Sequence, residues 1–381
     1  MSFDLKIEPA VPIYQQIAGH FARLIRSGEL RPGQPLPSCR ELARNWNVNF
    51  QTVHKAMRRL KASGLVGGEP RCGSVVRSEN QKAVIGVLAG PSITDESSHF
   101  LRALIVALRA EIAGSRDFRW TSRVYDGLNE LRSGPDSRRS TVRQQLVADL
   151  KSRSFNGIVR IVDRPGATLE GEISRLKAPS VRFGVDLQKS DVVLDMAGFI
   201  SASVEFIVRK GLKKICYLRN YADDPSHSLD IRALEEAVRR FSLPRVEIHQ
   251  ISGGASCEQA AYEKTVRMVE QWRSGGRHGW PAALLVLDDI ATRGVSFALA
   301  QKGIKVPAQV LLMSATNEGI IHYYGMPVVR YDFSSKAIAK SLLDILHKRM
   351  LGEALPELPI KIAGELKSFQ SSAGLAINEQ N

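Results

Sequence analysis

From Ile13 the apolar side chains Ile13, Ile17, Phe21, Leu24 and Ile25 recur at intervals of three and four residues, and the run stops at Gly28 and Pro32-Gly33. That spacing gathers them on one stripe of a helix and ends it at residues that break helices. Ser38 stands directly before Cys39-Arg40-Glu41-Leu42-Ala43, so its hydroxyl and Glu41 form a capping box that predicts a second helix over about 39–46. Asn49 is placed to cap a third helix whose inward residues Val53, Ala56, Met57 and Leu60 again repeat at three to four. Phe50, Gln51, Thr52, His54 and Lys55 are left toward solvent. Gly64-Leu65-Val66 and Gly73-Ser74-Val75-Val76 read as two short strands with Arg71 at the tip between them. Three helices followed by such a hairpin predict a winged helix-turn-helix, in which a short turn between two helices presents the later one to a major groove.

Residues 78 to 82, Ser-Glu-Asn-Gln-Lys, show no apolar periodicity and read as a flexible linker that lets the head reorient. Beyond them short apolar strands alternate with amphipathic helices. VIGVLAG at 84–90 is followed by a helix near 99–113, RWTSRVY, a helix over 138–153, GIVRIV, a short helix, PSVRFG and DVVLD. The pattern resumes with a helix at 197–210, KKICYL, a helix at 228–241, RVEIHQI, a helix at 256–273 and AALLVLDD. A helix to Lys302, QVLLMSA, PVVRYD and a final helix to Leu351 complete it. Strand-helix alternation on this scale predicts an α/β body of two lobes, with parallel sheets covered on both faces and ligands at the carboxyl ends of the strands. Residues 126–140, DGLNELRSGPDSRRS, read as a polar surface excursion. The domain boundaries expected are a head at 1–77, a linker at 78–82, a body at 83–370 and a tail at 371–381.

Charge sharpens this picture. The chain of 381 residues has a formal net charge of +14, and its first 80 residues hold 12 Lys and Arg against 6 acids. Such an excess suits a polyanionic partner but is also common on a solvated surface, so it is the helix-turn-helix pattern that makes double-stranded DNA the expected partner. Apolar residues make up 44% of the chain, no apolar run is long enough to span a bilayer, and the start MSFDLKIEP lacks the basic and apolar regions of a secretory signal. A cytoplasmic protein with no membrane association is expected. Cys39, Cys72, Cys216 and Cys257 are scattered without C-x-x-C spacing, so they are read as free thiols, with neither a metal site nor a cofactor expected.

Taken by their chemistry, Arg40, Lys55 and Arg71 suit phosphate contacts or, for arginine, guanine. Gln51 suits adenine, Asn49 and Thr52 reach phosphates from a helix N-terminus, and His54 suits either. The same segment resembles the GntR family of bacterial transcriptional regulators through Pro12-Ile13-Tyr14-Gln15-Gln16, Gly28, Leu30, Pro32-Gly33 and Leu36-Pro37-Ser38. Arg40-Glu41-Leu42-Ala43, Val48-Asn49, Thr52-Val53, Lys55-Ala56, Leu60 and Gly64-Leu65-Val66 continue the match. The resemblance implies that the start of the second helix, the exposed face of the third and the wing touch DNA. On this chain those positions are Arg40, Asn49, Gln51, Thr52, His54, Lys55, Arg71 and Gly73. The wing departs from the usual Gly-x-Gly, reading Arg71-Cys72-Gly73.

The body resembles the sensor domain of the LacI/GalR regulators, itself similar to periplasmic sugar-binding proteins. The marks are Gly86-Val87-Leu88, Phe155-Asn156-Gly157-Ile158-Val159, Asp195-Met196-Ala197-Gly198, Lys210-Gly211-Leu212-Lys213-Lys214-Ile215, Arg232 and Leu287-Asp288-Asp289-Ile290-Ala291. The resemblance implies a small-molecule effector, carbohydrate in kind, held between two lobes, with Arg232 and Asp289 as contacts that bridge vicinal hydroxyls. Phe100 is a candidate to stack on a sugar ring and His99 to add a hydrogen bond. Two phrases depart from the pattern: Asp195-Met196 replaces D-N, and Ser314-Ala315-Thr316-Asn317 stands where two acids are usual.

Together these features predict a homodimeric repressor whose operator affinity answers to an effector. Two other readings stay open: a DNA-binding head on an enzyme-like body, as in GntR relatives with an aminotransferase-like domain, and a body that serves only as a dimerisation platform. No G-x-S-x-G, Walker A or H-E-x-x-H phrase is present, so an enzyme is not the expectation.

Overall fold

The computed structural model describes residues 11–368 apart from 70–72, 79–81, 95–98, 115–119, 130–136, 153, 162–165, 177, 185–186, 188, 220–228, 252–256, 277–279, 321–322 and 358. The chain divides into two compact units, Met1–Val193 with Lys336–Ile360, and Leu194–Ser335 with Lys361–Asn381.

The first unit begins with α1 (Ile13–Arg26), α2 (Cys39–Asn45) and α3 (Phe50–Ala62), then the antiparallel pair β1 (Val66–Glu69) and β2 (Gly73–Val76). Ile17 and Phe21 of α1, Leu42 of α2, and Val53, Ala56 and Leu60 of α3 are all buried together, which is the stripe the spacing predicts. Glu41 accepts the Ser38 amide at 2.8 Å while the Ser38 hydroxyl accepts the Glu41 amide at 3.2 Å, so the capping box forms. The first strand starts two residues later than expected: Gly64, at φ +76, closes α3 in the left-handed region, and Leu65 packs into the head core.

The same unit continues with β3 (Ala83–Ala89), α4 (His99–Gly114), β4 (Trp120–Tyr125), α5 (Ser137–Lys151), β5 (Gly157–Ile161), α6 (Gly166–Leu176), β6 (Ser180–Phe183) and β7 (Val192–Leu194). The second unit holds α7 (Met196–Arg209), β8 (Ile215–Arg219), α8 (Leu229–Arg240), β9 (Glu247–Gln250), α9 (Cys257–Ser274), β10 (Ala283–Val286), α10 (Asp289–Gln301), β11 (Leu311–Asn317) and β12 (Val329–Phe333). Then come α11 (Ser335–Leu351), β13 (Ile360–Ile362) and β14 (Glu365–Lys367). The strands form two six-stranded sheets, ordered β13-β7-β6-β5-β3-β4 and β14-β12-β11-β10-β8-β9. The pairs from β4 through β3, β5 and β6 to β7, and from β9 through β8, β10 and β11 to β12, are parallel, whereas β14 runs antiparallel to β12. β13 and β14 lie past the last element read from the sequence.

Alternation along β8 shows why these strands read as unbroken apolar runs. Ile215 and Tyr217 enter the layer with Phe199 of α7 and Leu234 of α8, while Cys216 and Leu218 enter the layer with Met268 of α9 and Val295 of α10. The excursion expected at 126–140 begins differently: Asp126 and Leu128 are buried, Leu128 because it joins the layer with Leu146 and Leu150 of α5. Residues 130–136 of that stretch lie outside the described residues. Among the described residues no helix is long and apolar enough to cross a membrane.

α9 and α10 meet backbone to backbone at Gly294. A Cβ there would lie 2.0 Å from the Glu258 carbonyl oxygen and 2.9 Å from the Tyr262 nitrogen. Gly294→Ala must therefore push the helices apart, at a cost of about 1–3 kcal/mol or more. Thermal unfolding of the full chain is expected to shift down by several degrees, and an unchanged midpoint would show that this crossing is looser than the structure has it.

Candidate DNA interface and effector site

The head presents a polar face built by its caps. Asn47, at φ +49, makes the turn between α2 and α3 in the left-handed region that asparagine tolerates. Asn49 caps α3, its Oδ1 accepting the Gln51 amide at 2.7 Å. Arg40, Asn49, Gln51, His54 and Gly73 are exposed, and Thr52 and Lys55 are half-buried. Lys55 Nζ sits 3.9 Å from the Tyr14 ring centroid, and His54 stacks on Phe50 at 6.0 Å, which fixes two of the side chains on this face. Gly73 opens β2 at φ +76, and Arg71 lies outside the described residues.

The far end of α3 is held against the lobe of its own unit. Arg58 Nη2 donates to the carbonyls of Arg349 and Met350, both at 3.3 Å, and so caps the C-terminus of α11. Arg59 lies 4.0 Å from Glu353, and the Trp120 indole donates to the Ala62 carbonyl at 2.6 Å. The linker expected at 78–82 is thus accompanied by direct contacts between α3 and the body; residues 79–81 are outside the described residues.

In the first unit a polar cluster forms past the ends of β3 and β4. Asp126 accepts the Ser92 hydroxyl and the Ile93 amide, each at 2.9 Å. Arg102 donates to the Ile93 carbonyl at 2.8 Å and lies 3.1 Å from His99 Nδ1. His99 and Phe100 are half-buried, and Phe100 packs on Phe183 with centroids 5.6 Å apart. Asp126 is a further candidate that the sequence does not announce, because the polar residues after it obscure the end of a strand.

In the second unit polar groups collect at the carboxyl ends of β8, β10 and β11, where parallel sheets bind ligands. Asp288 caps α10 through the Ala291 amide at 2.8 Å, and Cys257 Sγ lies 3.6 Å from the same oxygen. Asp289 beside it is 6% exposed and accepts Asn317 Nδ2 at 2.9 Å. Burial and then the Asp289 charge push the Asp288 carboxyl up to about 6. Burial, and next the charge of Asp289, likewise raise the phenol of Tyr324. Arg232 is exposed, while two residues earlier on α8 Asp230 is buried, since positions two apart point to different sides of a helix. The buried cation near Asp230 is Arg219, the last residue of β8, whose Nε lies 3.0 Å from Asp230 Oδ2; Tyr217 donates to that oxygen at 2.8 Å.

The raised Asp288 value sets a pH dependence. A carboxyl with an ordinary value of 3.8 that titrates at about 6 in the fold binds its proton more tightly folded than unfolded, so stability is lost as pH rises from about 4 to about 6. Asp288→Asn keeps the oxygen that caps α10 and removes the charge. It is expected to melt higher than the parent at pH 7 and to show a flatter stability profile between pH 4 and 6, and equal profiles would remove the buried charge from the account.

The geometry defines a winged helix-turn-helix head followed by an α/β body with parallel sheets. Residues 13–76 match the family model described as bacterial regulatory proteins, gntR family, and residues 204–371 match that of the periplasmic binding protein-like domain. The chain therefore carries a gntR-type head and, over residues 204–371 of its body, a periplasmic-binding-protein-like domain. The uncharacterized HTH-type transcriptional regulator SCO4628 of Streptomyces coelicolor is 34% identical over 79 residues, 21% of this chain and 29% of that protein. The HTH-type transcriptional repressor PurR of Vibrio atlanticus is 20% identical over 173 residues, 44% of this chain and 48% of that protein. The chain therefore spans less than half of either relative. Among solved structures, the transcription regulator CcpA of Lactococcus lactis superposes with a TM-score of 0.57 at 19% identity, covering 77% of this chain and 100% of that one. The lac repressor dimer bound to operator and the anti-inducer ONPF does so with a TM-score of 0.54 at 17% identity, covering 77% and 96%.

Proposed function

We propose that the protein is a ligand-responsive transcriptional repressor, a homodimer whose heads grip two half-sites of a near-palindromic operator and whose body holds a small carbohydrate-like effector. The observation that carries this reading is the joining of a gntR-type head, with Arg40, Gln51 and His54 exposed, to a periplasmic-binding-protein-like body with buried polar groups at its strand ends. The operator-bound lac repressor dimer, similar in fold, supports the two-fold arrangement. Arg40, Thr52 and Lys55 take phosphates, Gln51 and His54 read base edges, Asn49 keeps the N-terminus of α3 in shape, and Gly73 with Arg71 follows the wing along the backbone.

In the second unit, Asp289 and Asn317 supply an acceptor and a donor suited to sugar hydroxyls; Asp126 and His99 offer like groups within the first unit. Phe100 offers a partly open ring. Arg232, being exposed, serves this reading only at the margin of the site. Within the first unit, α11 ends where Arg58 of α3 takes its last carbonyls, a contact that ties the DNA-facing helix to its lobe.

The test is selection of DNA sites by the purified full chain, followed by binding at several salt concentrations. Two boxes related by two-fold symmetry are expected. Arg40→Ala should weaken binding to all sequences and flatten the salt slope by about one unit, as for one lost phosphate contact, while Gln51→Ala should relax preference at one or two base pairs. Failure to enrich any site, or parental binding by both variants, would remove α3 from the DNA interface.

A further inference from the structure

The second sheet brings together three side chains that no spacing in the sequence connects. β8 and β9 pair in parallel with Cys216 opposite Glu247 and Leu218 opposite His249, so Cys216, Glu247 and His249 all point to one face. One donor atom from each, the Cys216 sulfur, a Glu247 carboxylate oxygen and a His249 ring nitrogen, lies within 4.8 Å of the others. His249 Nε2 and Glu247 Oε1 are 2.6 Å apart. The Cys216 residue is fully buried, the His249 side chain is 14% exposed and that of Glu247 38%.

We infer that Cys216, Glu247 and His249 form a binding site for one zinc-class divalent cation, with a fourth position open to water beside Glu247. Sulfur, imidazole nitrogen and a single carboxylate are the donors that zinc takes, whereas magnesium and calcium call for a shell of oxygens. Bonds of about 2.0–2.3 Å to such donors place neighbouring ligand atoms about 3.5 Å apart, so rotamer adjustments of about 1 Å close the site and open the His249 to Glu247 contact. On binding, the Cys216 thiol gives its proton to solvent and the sulfur enters as thiolate. Burial raises that thiol well above its ordinary value, and the neighbouring Glu247 adds to this while Lys264 and Lys214 oppose it. With thiolate and carboxylate bound, the two positive charges of the cation are balanced, so the two nearby lysines face a neutral centre. β9 is the edge strand of its sheet, and the cation would clip it to β8, whose last residue is the buried Arg219. This assignment stands apart from the regulatory reading and neither needs nor supports it.

The experiment uses the full chain, tag removed and stripped of metal, titrated with cobalt(II) alone and then with zinc. One equivalent of cobalt should give a near-ultraviolet thiolate charge-transfer band and the intense visible bands of a four-coordinate site, and zinc should displace both. Cys216→Ser should abolish the charge-transfer band; His249→Gln and Glu247→Gln, at less buried positions, should weaken cobalt binding at least tenfold; Cys257→Ala should leave it unchanged. Where Cys216→Ser does not fold, the His249 and Glu247 variants decide. Absence of the band in the parent, its survival in Cys216→Ser, its loss in Cys257→Ala, or parental affinity in both His249→Gln and Glu247→Gln would overturn the site.

Discussion

Replacing Arg219 by alanine is expected to lower the stability of the chain by about 3–5 kcal/mol, because it leaves the Asp230 carboxylate buried without its cation. The Arg219 side chain is 1% exposed and that of Asp230 5%, their closest approach is 3.0 Å, and the Tyr217 hydroxyl also donates to Asp230. Both charges are buried. At roughly 2–4 °C per kcal/mol the melting temperature should fall by about 10 °C. Removing both partners tests the cause: Arg219→Met with Asp230→Leu fills the same space without charge and should recover most of the loss, since buried ion pairs are often replaceable by apolar residues of similar volume. A single variant that melts within 2 °C of the parent, or a double variant no better than the single, would show that the pair does not hold the end of β8.

Asp289→Ala should abolish the effector response while leaving operator affinity and melting temperature at or above the parent's. Two adjacent carboxylates at one buried helix start are costly, as the raised Asp288 titration shows, and the Asp289 contact with Asn317 offsets that cost only in part. Such an arrangement is an expected signature of a site that binds something. Loss of one charge-assisted hydrogen bond corresponds to about 1.5–3 kcal/mol, or ten- to a hundredfold in affinity. The check is titration with whichever member of a panel of simple sugars, sugar phosphates and sugar acids most raises the melting temperature of the parent. If the variant bound that sugar as the parent does, Asp289 would be outside the site; if it lost stability instead, its role would be structural.

The head was legible almost residue by residue because its signals are local. The Ser38 and Glu41 capping box, the Asn49 cap and the stripe through Val53, Ala56 and Leu60 each lie within a few residues of one another. The alternation of strand and helix in the body was equally plain, since a strand buried on both faces leaves an unbroken apolar run. What stayed hidden depends on pairing between distant segments. Cys216 and Glu247 become neighbours only through the register of two parallel strands, and Arg219 meets Asp230 only once β8 and α8 pack. Asp126 was obscured by the polar stretch after it. β13 and β14 are three residues each, too short for a period to register. The contact between α3 and α11 joins residues some 290 positions apart, and neither sequence announces it.

If one chain reads DNA with its head and answers to a small molecule in its body, binding at the two must be coupled. The measurement that decides is the equilibrium affinity of the full chain for its selected operator, with and without the sugar that stabilises it most. The affinity should change by at least about fivefold, the lower end of ordinary allosteric coupling. An operator affinity that no member of the panel alters, in a protein that binds the sugar, would contradict it.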